Sequence, residues 1–126
     1  MTKLKAGVAW VLSALLSVSF IMAGWPKLDP GETMIRRFEN WGYSPQFAVL
    51  IGVLELLSGL LVLVPRTALF GGTLIVVLMV GAVYTHLSTG IGSPLFAFIF
   101  IGAALMVAFL RFGVALGVRR TRKADQ

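Results

Sequence analysis

The sequence predicts an all-α protein, a four-transmembrane-helix bundle with a short amphipathic helix in its first outward-facing loop. Three observations predict it. Long apolar blocks, each close to twenty residues, recur four times along 126 residues. A single long polar segment, residues 26–45, separates the first block from the second. Charged residues make up 13% of the chain where a soluble domain carries about 25%, and mean hydropathy is +0.93. The chain is one integral membrane domain, residues 1–126, with spans at about 6–26, 46–64, 67–86 and 94–112 and a basic tail at 113–126.

Ala6–Trp25 is uncharged and long enough to cross ~30 Å of hydrocarbon as a helix. A secretory signal peptide is the competing reading, but the apolar stretch is longer than a typical signal core and no A-x-A site follows it. Trp10 and Trp25 stand near its two ends, at the levels indole rings favour. In residues 26–45, Met34, Ile35, Phe38 and Trp41 recur at helical spacing, with Glu32, Arg36, Arg37 and Glu39 opposite. That pattern is an amphipathic helix lying on the membrane or capping the bundle, punctuated by Asp29–Pro30 and Gly42; a solvated loop is the alternative. The second span stops at Pro65–Arg66, and a tight turn makes spans two and three an antiparallel hairpin. The third runs to His86. The fourth, rich in phenylalanine, reaches Arg111, which is expected to snorkel to the headgroups, and the tail beyond is expected to be flexible.

Four spans put both termini on one side. Eight of the eleven Lys and Arg residues fall on that side: Lys3, Lys5, Arg66, Arg111, Arg119, Arg120, Arg122 and Lys123. Lys27, Arg36 and Arg37 fall on the other. The positive-inside rule therefore places both termini in the cytoplasm of a cell with an inner membrane. The net charge of +6 is explained by these flanks, and the expected partners are the lipid bilayer and companion membrane subunits or further copies of the chain, not nucleic acid. The chain has no cysteine and one histidine, which excludes thiol chemistry and argues against a protein-only metal site.

Glu55 is the costliest residue in this frame. It lies mid-span in LIGVLELLSGLLVL, where a carboxylate costs ~2.5–3.5 kcal/mol on insertion scales. Gly52, Glu55 and Gly59 share one helical face, and the glycines admit a close neighbour. A residue of this kind is either functional or hydrogen-bonded in the bundle, for example to Ser13, Ser17, Ser19 or Ser58. Counting rise per residue from Arg66 puts Glu55 ~16 Å up and His86 ~30 Å up, with Lys27 at the outer level. Glu55 then forms the floor, and Lys27, Asp29 and His86 the rim, of an outward-opening cavity, with Trp25, Trp41 and Tyr84 nearby. The Gly113/Gly117 pair reads as a packing feature.

The ordered motifs AGWPKL (Ala23–Leu28), WGYSP (Trp41–Pro45), IGVLELLSGLLVLVPR (Ile51–Arg66) and MVGAVYTHL (Met79–Leu87) resemble the DoxX / DoxX-like family of small four-helix membrane proteins. The resemblance covers nearly the whole chain. It implies that Lys27, Glu55 and His86 are the family's characteristic polar positions and the candidate ligand-binding residues, Glu55 being the candidate proton-handling group. It also implies association with membrane oxidoreductase assemblies, the family name coming from a subunit linked to thiosulfate:quinone oxidoreductase. No intrinsic cofactor is expected, and a quinone is the candidate ligand. Three functions compete, in this order: a membrane subunit of a redox or respiratory assembly, a non-enzymatic assembly subunit packing against partner helices, and a small transporter. Whether the chain has an activity of its own stays open.

Overall fold

A computed structural model describes residues 2–124, with side chains for residues 2–112. Among the described residues all regular structure is helical, and four helices are long and apolar enough to cross a membrane. The chain is a multi-pass membrane protein.

Helix α1 spans Lys3–Gly24, opened by Thr2, whose hydroxyl accepts from the Lys5 amide at 3.2 Å. A 3-10 turn follows at Trp25–Lys27, forced by Pro26 at its start. Helix α2 spans Glu32–Asn40 and ends at Gly42, whose φ of +87° reverses the chain as only glycine does without strain. Helix α3 spans Pro45–Leu63, with Ser44 as its cap and Pro45 in the first turn, where its missing N–H costs nothing. At its far end Thr67 Oγ1 donates to the Leu61 carbonyl at 2.7 Å, satisfying an otherwise orphaned acceptor beside Pro65.

Helix α4 spans Ala68–Thr89, three residues beyond the expected end at His86. Gly90, left-handed at φ +69°, is the residue that stops it, and its N–H returns to the His86 carbonyl. Helix α5 spans Leu95–Ala124, so the backbone helix runs on through most of the segment expected as a flexible tail. The Gly113/Gly117 packing feature and the basic side chains of that segment lie outside the residues with described side chains.

Helix α1 packs on α3 and α5, and α4 packs on the same two, a four-sided bundle with α2 across one end of α3. At the end holding the N-terminus and the α3–α4 turn, Leu16, Phe20, Val62, Ala68, Ile75, Ala104 and Val107 fill the interior. The outward faces remain apolar: Leu60, Phe70, Val77 and Phe109 are exposed, as side chains solvated by lipid should be. Without water to drive burial, close fit holds such helices together, so small residues sit at the contacts. Gly71 touches the Val62 backbone so closely that no Cβ fits there.

Candidate functional site

The glycine face of α3 looks at α1. A Cβ on Gly24 would meet the Gly52 carbonyl at 2.6 Å, and one on Gly59 would meet the Ser17 carbonyl at 3.0 Å. The contact sets the level of α1. Gly24, the last residue of α1, lies beside Gly52, about 10 Å along α3 from its start at Pro45. The end of α1 is therefore sunk about two turns below the end of α3, and the 3-10 turn carries Lys27 down with it. A Cβ on Gly52 would approach the Lys27 Cβ to 2.7 Å.

Lys27 Nζ consequently reaches Glu55 Oε1 at 2.6 Å. The side chains are 17% and 6% exposed, which makes this an interior ion pair. Here the depth count is corrected. It assumed that all spans end in one plane, and so put Lys27 on the rim, well above Glu55. The serine alternative is also corrected: Ser58 Oγ donates to the Glu55 backbone carbonyl at 2.8 Å, not to the carboxylate. The second carboxylate oxygen, Oε2, is buried and has no hydrogen-bond partner among the described residues.

That carboxylate borders a cavity of about 560 Å³ in the half of the bundle next to α2. Lys27 and Glu55 supply charged groups on one wall, and Leu54, Leu78, Ala82 and Phe100 are among its apolar lining. Leu50, Val77 and Phe96 line it too and are more than half exposed, so the cavity opens sideways between helices toward lipid. From above it is covered by Phe38 and Trp41 of the α2 segment. Phe38 meets Trp41 edge-to-face at 5.4 Å. Tyr43 and Thr85 share a hydrogen bond at 2.7 Å, tying the α2–α3 loop to α4.

His86 lines the cavity at this upper end, its Nδ1 at 2.7 Å from the Ile91 carbonyl and its ring against Trp41 at 5.6 Å. No hydrogen bond joins it to Glu55 among the described residues. The Trp41 indole N–H is a second buried polar group without a hydrogen-bond partner among the described residues. Asp29, expected on the rim, does not line the cavity, and neither do Trp25 and Tyr84, expected nearby and about 70% exposed. Arg37, assigned to the polar face of α2, does line it. The Tyr43–Thr85 tie and the place of Arg37 in the cavity lining went unread in the sequence. Tyr43 in the quoted WGYSP motif was the available signal for the first.

Chemically, the site offers a cationic donor at Lys27, a free acceptor at Glu55 Oε2 and a free donor at Trp41, set in an apolar chamber. No group of three or more metal-ligating side chains occurs among the described residues.

The model of the DoxX-like family matches residues 11–109 of this chain, a stretch that contains the whole cavity lining. No curated protein and no solved structure matches it.

Proposed function

The chain belongs to the DoxX-like family, and from that premise we propose that it is the membrane subunit of a redox or respiratory assembly, holding a quinone- or lipid-like ligand in the cavity beside Glu55. The observation that carries this reading is Glu55 Oε2: a buried carboxylate oxygen with no partner among the described residues, on the wall of a chamber that opens toward lipid. An unsatisfied buried acceptor costs about 1–3 kcal/mol, and a ligand hydroxyl that donates to it removes that cost. The 560 Å³ volume lies within the roughly 300–1,000 Å³ of small-molecule sites.

The ligand class follows from the lining. Apolar walls and a lateral mouth take a ring or tail that arrives through the bilayer. Lys27 Nζ donates to a carbonyl or phenolic oxygen, Glu55 accepts from a hydroxyl, and the Trp41 N–H serves an acceptor at the upper end. Glu55 is then the group that exchanges a proton with the bound headgroup, Lys27 holds its charge in place, and His86 stands at the upper end under Trp41. The positive-inside pattern supports an orientation with both termini on the cytoplasmic side of the inner membrane and α2 on the opposite face.

Native mass spectrometry of the protein released from its own membrane tests the proposal. One tightly held quinone- or lipid-sized adduct per chain, reduced by Glu55→Gln, supports the site, and co-released redox subunits support the assembly. A bare chain without adduct or companion sinks both parts.

A further inference from the structure

A second polar site lies at the other end of the bundle. Arg111, near the end of the fourth span, does not snorkel outward as the sequence suggested. Its residue is 6% exposed, and its guanidinium lies over the ring of Trp10 on α1, 4.8 Å from the centroid. Its Nε and Nη2 are buried and have no hydrogen-bond partner among the described residues. A guanidinium is charged at any physiological pH, and leaving its donors unmatched inside a protein is costly. Stacking on an indole offsets part of that through cation–π attraction but satisfies no N–H.

The counter-charge does not come from this chain's described acids. Asp29, Glu32, Glu39 and Glu55 all belong to the half of the bundle near α2. Glu55 is engaged by Lys27, and Glu32 is paired with Arg36. Among the residues with described side chains, the other charges on the Arg111 side are Lys3, Lys5 and Arg66, all cationic. Trp10 is 48% exposed, so the contact between α1 and α5 is open at its edge to the surroundings. A fork of free N–H donors in a basic setting fits a planar or tetrahedral oxyanion, and guanidinium binds phosphate in bidentate fashion.

We propose that Arg111 and Trp10 form a phosphate-binding site between α1 and α5, at the headgroup level of the leaflet on the terminal side. The phosphate is that of an anionic phospholipid or of a free phosphate ion. The site is separate from the cavity beside Glu55 and independent of what occupies it.

The test is lipid retention by the full chain in detergent. Protein exchanged into micelles containing phosphatidylglycerol or phosphatidylcholine is separated by size, and bound lipid is counted by mass spectrometry. The wild type should retain phosphatidylglycerol in preference to phosphatidylcholine, and Arg111→Gln should weaken that retention about tenfold or more. Arg111→Lys, which keeps the charge and loses the fork, should fall between them. Displacement of the retained lipid by millimolar inorganic phosphate assigns the site to the free ion; resistance assigns it to the lipid. Equal retention of the two lipids by the wild type overturns the proposal without any variant. Equal retention by wild type and Arg111→Gln overturns it too, and so does loss of a companion protein in place of loss of lipid.

Discussion

Replacing Lys27 and Glu55 by methionine, singly and together, gives the sharpest view of how the ion pair holds the site. The two charges are 2.6 Å apart with side chains 17% and 6% exposed, so each is largely removed from solvent. At an effective dielectric near 20 their attraction is roughly 6 kcal/mol, offset by a desolvation cost of several kcal/mol per ion. The net worth of the pair is therefore small, whereas the cost of breaking it is large. Lys27→Met strands a buried carboxylate and Glu55→Met strands a buried ammonium. Each should lower unfolding stability by about 3–5 kcal/mol, a shift of a hundredfold or more in the unfolding equilibrium. The double variant, with two apolar side chains of similar volume, should fall within about 1–2 kcal/mol of the wild type. The assay is reversible unfolding in mixed micelles, followed by circular dichroism. A double variant as unstable as the sum of the singles would refute the reasoning, since it would mean that the two charges do not depend on each other.

Other outcomes follow from single contacts. Gly52→Ala puts a methyl against Lys27 Cβ at 2.7 Å and the Gly24 carbonyl at 2.9 Å, so it should cost about 1–3 kcal/mol by pushing α1 off α3; Gly102→Ala, with nothing within 4 Å, should be neutral or slightly stabilising in the same melting assay. Tyr43→Phe removes the 2.7 Å tie to Thr85, at a cost of about 1 kcal/mol, and should speed amide exchange across residues 41–44 more than in the rest of the protein. Because the chain has no cysteine, single-cysteine variants report topology cleanly. Thr33→Cys on α2 should react with an impermeant maleimide in intact cells and Thr2→Cys only after lysis; the reverse pattern would invert the orientation proposed from the basic flanks.

The spans were legible because each is an unbroken apolar run, and lipid leaves the backbone no choice but helix. The amphipathic α2 was legible from Met34, Phe38 and Trp41 at helical spacing. The face holding Gly52, Glu55 and Gly59 was legible too, but not what it faces. The level of Lys27 depends on how far α1 sinks along α3, which is set by the fit of Gly24 against Gly52. Such a fit is a property of two distant segments, and counting residues within either one does not reveal it. Arg111 failed for the opposite reason. Its position in an apolar run was plain, yet its direction depends on Trp10, a hundred positions away, offering a ring face from the neighbouring helix α1. Tyr43 and Thr85 are ordinary residues whose pairing only the folded bundle creates.

Photolabelling tests the central claim most directly, that the chamber beside Lys27 and Glu55 is a ligand site. A quinone analogue carrying a diazirine is irradiated with the protein in bilayer nanodiscs, and the labelled peptides are mapped by mass spectrometry. The account predicts labels concentrated on Leu50, Leu54, Leu78 and Ala82, and lost when Glu55 is changed to Gln. Labels spread evenly over lipid-facing residues such as Val18, Leu60 and Leu105, and unchanged in that variant, would contradict it.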